Sequence, residues 1–203
     1  MRDTVYVLVF DGFADWQAAL ALCEVQRPGE WQVRTVGFTP AAVRSMGGLA
    51  VRPDLALEAL DLARSALLIV PGGHLWQRGE GEAAVTALRR AGMAGVPLAA
   101  IDSGVLALAR AGLLEGRRHT GSWAGQIAAQ VPGYAGAAHY DASVLAASDG
   151  GVITASHLGS VEFAREVIRT LDLYSPSDRE HWYRLFKHAQ LPPWCVGEAA
   201  AAA

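Results

Sequence analysis

Asp102 stands where a nucleophile is expected and is the wrong residue type for one. The apolar run Val96-Pro97-Leu98-Ala99-Ala100-Ile101 reads as a short buried parallel strand. It breaks into Asp102-Ser103-Gly104, and the small and aliphatic residues that follow, 105–111, read as a helix. Strand, sharp turn and helix make a nucleophile elbow, which lifts one side chain above the sheet edge and aims the new helix's free N–H groups at it. Such a turn normally carries Ser or Cys. A carboxylate there can bind a ligand or attack carbon to form an ester. Crowding at the turn predicts a sparsely populated backbone conformation for Asp102.

Ligands of open α/β sheets sit at the carboxyl ends of the parallel strands. Two more segments converge there: Asp11-Gly12-Phe13-Ala14-Asp15-Trp16-Gln17 after the first strand, and Pro71-Gly72-Gly73-His74 after the third. The Gly72-Gly73 pair lets backbone N–H groups approach a small ligand, as an oxyanion hole requires. Gly72, Gly73, Ser103, His74 and Asp15 are therefore the candidate pocket residues around Asp102.

The elements that must position these residues alternate. Strands are expected at 5–10, 31–38, 66–70 and 97–101, as neighbours in one largely parallel sheet, with further strands at 117–121, 143–147 and 152–155. Helices are expected at 14–25, 82–92 and 105–111, and a hairpin over 43–51 turns at Gly47-Gly48. From Ser160, the residues Val161, Ala164, Val167, Ile168 and Leu171 form an apolar stripe at helical spacing. Ser175-Pro176-Ser177-Asp178 opens a last helix through Trp182, Leu185 and Phe186, with a capping Ser and Pro at the first helical position. The rhythm predicts an α/β doubly wound sheet with helices on both faces, forming one domain over 1–190 with a tail at 191–203.

The 203 residues are enough to bury a core without disulfides or metals. A net charge of -3 gives no electrostatic case for nucleic acid or an anionic membrane as partner. Cys23 and Cys195 are isolated thiols without disulfide or zinc spacing, and Cys23 reads as a small core residue. No cofactor is expected. A metal site is not expected either, because Asp102, His119 and His74 would need further ligands from loops, and His139, His157 and His181 lack ligand spacing. Met1-Arg2-Asp3-Thr4 opens no signal-peptide apolar region and no run is long enough to span a bilayer, so a cytoplasmic location is expected.

Pro71-Gly72-Gly73, Ala100-Ile101-Asp102-Ser103-Gly104 and Ala111-Gly112-Leu113-Leu114 together resemble the ThiJ/PfpI family of the class I glutamine amidotransferase-like superfamily. Asp11-Gly12-Phe13-Ala14-Asp15-Trp16, Arg118-His119-Thr120 and Thr154-Ala155-Ser156 extend the resemblance over residues 4–188, nearest to the general-stress branch with intracellular protease or amidase-like names. The resemblance implies a flavodoxin-like fold and a homodimer, for which Trp16, Leu20 and Met46 are the apolar contact candidates. It also implies a cysteine at the place of Asp102 and, at the place of Gln17, a glutamate that hydrogen-bonds the thiolate and makes it reactive.

This chain departs from that pattern at both places. Gln17 removes the like-charge conflict that a glutamate beside Asp102 would create, and its amide can donate to the carboxylate. The pair thus resembles the family's oxidised state, in which a sulfinate accepts that bond. Because a designed single Cys-to-Asp change would have kept the glutamate, the pair reads as natural. Further donors to Asp102 are expected from the Gly72-Gly73 turn or the elbow helix. The resemblance places His119 near the nucleophile, where it could pair with Asp102 or only fill the pocket wall. Glutaminase activity by a Cys-His-Glu mechanism is excluded by Asp102. Three readings stay open: a stress-related or small-molecule-binding protein without cysteine chemistry; a hydrolase with Asp102 as nucleophile and His119 as base; and a structural dimer module with a vestigial pocket.

Overall fold

A computed structural model describes residues 2–123 and 125–192. Cys195 and the end of the expected tail lie outside the described residues. The elements follow in the order β1 (Thr4–Val9), α1 (Asp15–Gln26), β2 (Gln32–Gly37), β3 (Val43–Arg44), β4 (Ala50–Val51), β5 (Leu55–Ala56), β6 (Ser65–Val70), α2 (His74–Gln77), α3 (Glu82–Met93), β7 (Leu98–Ile101), α4 (Gly104–Arg110), α5 (Gln126–Gln130), β8 (Ala146–Asp149), β9 (Val152–Ala155), α6 (Ser160–Thr170) and α7 (Pro176–His188). Seven strands form one sheet in the order β5-β2-β1-β6-β7-β9-β8, parallel except for β8, which runs antiparallel to β9 at one edge. The four strands expected to be neighbours are adjacent at its centre. β3 and β4 make the hairpin, paired Val43 to Val51 and Arg44 to Ala50.

The central strands are apolar throughout because both their faces are covered. Successive β1 side chains enter opposite cores: Tyr6 and Leu8 pack with Trp76, Leu88 and Leu106 on one face, Val5 and Val7 with Ala21, Phe163 and Ile168 on the other. Of the stripe expected on α6, Ala164, Val167, Ile168 and Leu171 are buried and Val161 is partly buried, joined by Phe163. Ser175 caps α7 by accepting the Asp178 amide proton, with Pro176 in the first turn.

Two expectations are corrected. Residues 117–121 form no strand. His119 alone bridges to Tyr140, its N–H donating to the His139 carbonyl and its own carbonyl accepting from Asp141, while the next amide, of Thr120, goes to the Thr154 hydroxyl. Cys23 is exposed rather than a core residue. α1 buries Gln17, Ala18, Ala21, Glu24 and Val25. Those positions share one face at helical spacing, and Cys23 falls on another. Among the described residues no helix is long and apolar enough to cross a membrane.

Candidate functional site

The elbow forms as its sequence requires. β7 ends at Ile101, and Asp102 adopts φ 57, a left-handed conformation that costs a non-glycine residue about 1–2 kcal/mol. Surrounding contacts hold it there. The Asp102 N–H donates to the Ala155 carbonyl of the neighbouring strand, and its carbonyl accepts from Val105 in the first turn of α4. Gly104 lets that helix pack close, since a Cβ there would lie 2.4 Å from the Val70 carbonyl oxygen.

Gln17 and Gly72 fix the carboxylate from one side. Gln17, in the first turn of α1, is 1% exposed. Its Oε1 accepts from the Gly72 N–H at 2.7 Å, and its Nε2 donates to Asp102 Oδ2 at 3.1 Å. The backbone N–H can only donate, so it sets the amide's orientation and turns the NH₂ toward the carboxylate. Position 72 must be glycine for this approach, because a Cβ would lie 2.6 Å from Asp102 Oδ2 and 2.7 Å from Gln17 Oε1. From the other side Ser122 Oγ donates to Asp102 Oδ1 at 2.6 Å. The His157 backbone N–H reaches Ser122 Oγ at 3.4 Å, and the His157 ring meets the exposed Trp123 edge to face.

The expected backbone donors do not reach Asp102. The Gly72 amide is taken by Gln17, and the Gly73 amide donates to Ser103 Oγ at 2.9 Å. Ser103 is buried, and its hydroxyl also lies 3.1 Å from the Gly73 carbonyl oxygen, clamping the turn to the elbow. Buried side-chain acceptors therefore occupy the turn's amides, and they present no open oxyanion hole. Ser122 takes the donor role instead. It follows the single bridge at His119 in an irregular loop, where no periodicity marks it.

His119 is not joined to Asp102 by any hydrogen bond. It is fully buried, with Nδ1 2.7 Å from the Arg117 carbonyl oxygen and Nε2 against the Tyr134 hydroxyl. The carbonyl can only accept, so Nδ1 carries the proton, and Nε2 accepts from Tyr134. Burial depresses the His119 pKa below its ordinary value, against the opposing Arg117 hydrogen bond. The ring is thus held neutral with its lone pair capped, the opposite of the ion pair considered with Asp102. His74 is exposed at the start of α2 and meets Gln77 Oε1 at 3.0 Å. Asp15 faces the hairpin, accepting from Ser45 Oγ at 2.6 Å. Its role is to fasten β3 and β4 beside the site. Among the described residues no group of three or more His, Cys, Asp or Glu side chains is arranged to hold a metal.

A largely parallel seven-stranded sheet flanked by helices, with Asp102 in a left-handed turn beside Gly72 and Gly73, defines an α/β protein of DJ-1-like fold. Within it, the DJ-1/PfpI family model matches residues 3–170, and the chain belongs to that family. It is 32% identical over 190 residues to the Bacillus subtilis protein named uncharacterized protease YoaZ, covering 90% of each chain. It is 30% identical over 169 residues to deglycase TK1284 of Thermococcus kodakarensis, covering 82% of this chain and 98% of that one. The crystal structure of a thiJ/pfpI family protein from Bacillus anthracis superposes with a TM-score of 0.87 at 30% identity, covering 94% of this chain and 93% of that one.

Proposed function

We propose that this chain is a DJ-1/PfpI-family protein without cysteine chemistry, in which the elbow carboxylate anchors a small molecule. In this reading Asp102 occupies the place of a reactive cysteine and Gln17 that of its glutamate partner. The observation that carries it is the Gln17 bridge, which accepts from Gly72 and donates to Asp102 at once. An amide does both at any pH, whereas a carboxyl group does so only when protonated. Neutral donors, Gln17 and Ser122, serve both carboxylate oxygens, and neither is a base able to activate water for an Asp102 ester. The resemblance that suggests a stress-linked, cytoplasmic role also suggests a symmetric dimer. Trp16 and Met46, 50% and 51% exposed, and the partly buried Leu20 form its proposed contact.

The names of the relatives supply the test. On peptidase and deglycase substrates the wild type should turn over no faster than Asp102→Asn. Turnover that disappears in Asp102→Asn would overturn the binding reading and establish a carboxylate-dependent hydrolase. Asp102→Cys combined with Gln17→Glu should create a thiol that peroxide converts to higher oxidation states in a mass-spectrometric assay. A thiol at 102 that resists peroxide would remove the proposed equivalence with the reactive cysteine.

A further inference from the structure

The elbow meets solvent through few groups. Gln17, Gly72, Gly73 and Ser103 are buried, whereas Asp102 and Ser122 are partly exposed and Trp123 is 54% exposed. A ligand at the elbow therefore meets the Asp102 carboxylate, the Ser122 hydroxyl and the indole that follows it. A second apolar side chain stands on the segment that touches Ser122. The His157 backbone N–H lies 3.4 Å from Ser122 Oγ, and the next residue, Leu158, is 69% exposed. The His157 and Trp123 rings meet edge to face, with centroids 6.3 Å apart, and tie the two segments into one rim.

The donors at the elbow are turned inward. The Gly72 and Gly73 amides go to Gln17 Oε1 and Ser103 Oγ, while Gln17 Nε2 and the Ser122 hydroxyl both go to Asp102. A ligand that only accepts finds none of them free, and it faces a carboxylate. Accepting capacity is what remains, because Asp102 takes two hydrogen bonds and a carboxylate offers about four lone-pair sites. Both of its donors are neutral, and among the described residues no Lys, Arg or His side chain pairs with it. On the segments that meet there, Arg44 Nη1 donates to the Gly48 carbonyl and His74 meets Gln77 Oε1. His119 is capped by Tyr134, and His157 touches Ser122 only through its backbone. Asp11 and Asp15 accept from the Arg44 N–H and from Ser45 Oγ. Three carboxylates thus stand against one guanidinium, and the charge balance favours a cation.

Resting on the reading of the elbow as a binding site, we propose that its ligand is a primary ammonium on a small apolar or aromatic body. The ammonium donates to the open lone pairs of the Asp102 carboxylate, and the body lies against Trp123 and Leu158. Three probes of one size separate the charge from the body: benzylamine, cationic at neutral pH, neutral benzyl alcohol and anionic benzoate. Each is titrated into the full chain and followed at the backbone amide resonances of positions 102 and 122. Benzylamine should shift both resonances to saturation and bind about tenfold more tightly than benzyl alcohol, the effect of one charge-assisted hydrogen bond, with benzoate weakest. Asp102→Asn should bring the amine down to the affinity of the alcohol. Trp123→Ala, at an exposed side chain, should weaken amine and alcohol alike by several-fold. No shift with benzylamine, equal affinities for amine and alcohol in the wild type, or an amine preference that survives Asp102→Asn would overturn the proposal. Binding of the alcohol or of benzoate alone would overturn the ammonium and leave the elbow a small-molecule site. None of the three probes can be hydrolysed, so these outcomes are independent of the turnover assay that tests the binding reading itself.

Discussion

Replacing Gln17 by glutamate changes one atom pair at the centre of the site and should make folding pH-dependent. The new carboxylate would lie where the amide now stands 3.1 Å from Asp102 Oδ2, on a side chain 1% exposed. Two charged carboxylates at that distance repel by about 5 kcal/mol at an effective dielectric constant of about 20. Proton uptake offers a cheaper escape. Holding one glutamic acid of ordinary pKa, about 4.3, protonated at pH 7 costs about 3.7 kcal/mol, and at pH 5 about 1 kcal/mol. The protonated side chain of the Gln17→Glu variant can still accept from Gly72 and donate to Asp102, so nothing else is lost.

The sign follows from proton uptake. The folded variant binds a proton that the unfolded chain releases above about pH 4.3, so stability falls as pH rises from there. For 203 residues each kcal/mol shifts Tm by about 2–4 °C, which gives a deficit of about 7–15 °C at pH 7 and about 2–4 °C at pH 5. Thermal unfolding followed by circular dichroism between pH 5 and 8 reads this directly. Adding Asp102→Asn, whose amide can donate to the introduced carboxylate, should restore a flat pH profile and expose the coupling as a double-mutant cycle. Should Gln17→Glu melt with the wild type from pH 6 to 8, the two side chains do not touch and the proposed pairing of Gln17 with Asp102 fails.

Gly72→Ala should destabilise by about 1–3 kcal/mol in urea, because its Cβ meets Asp102 and Gln17 below 3 Å, whereas equal stability would mean that the turn yields easily. Ser122→Ala removes a donor to the carboxylate and should cost about 1–2 kcal/mol, at the low end for a charged acceptor because Asp102 is partly exposed. The His119 ring should titrate by NMR with a midpoint below 6.5, and its contribution to stability should be lost as pH falls from about 6.5 toward that midpoint, since only the unfolded ring takes up the proton there. A midpoint above 6.5 would restore a carboxylate partner for His119. Trp16→Glu should convert the proposed dimer to monomer in light scattering, and a wild type already monomeric at micromolar concentration would remove the dimer.

The elbow and its sheet were legible because buried parallel strands are continuous apolar runs, and because Gly-Gly and Asp-Ser-Gly punctuate them unmistakably. The Gln17–Asp102 contact followed from charge compatibility once family resemblance had set the two positions together. What stayed hidden depended on tertiary geometry. α1 carries apolar residues nearly all round, Trp16, Leu20 and Leu22 as well as Ala18, Ala21 and Val25, so its buried face could not be read and Cys23 was misplaced. β5 has two residues and owes its existence to pairing with β2. Of the two readings open for His119, pairing with Asp102 gave way to a hydroxyl fifteen positions away, and Ser122 gained Asp102 from a loop with no repeating pattern.

Asp102 accepts hydrogen bonds and, in the proposed function, forms no covalent intermediate. The most direct test is oxygen-18 labelling at this residue. An Asp102 ester, or the mixed anhydride that an acyl substrate would give by losing its amine or alcohol, leaves solvent oxygen in the carboxylate when water cleaves it at the Asp102 carboxyl carbon. Tryptic peptide 91–110, which ends at Arg110, contains Asp102 as its only acidic side chain, so label there has one origin. After incubation with peptidase, deglycase and ester substrates in oxygen-18 water and digestion in ordinary water, the peptide mass should be unshifted. A heavier peptide, formed only with substrate present and absent in Asp102→Asn, would contradict this and make the elbow carboxylate a nucleophile.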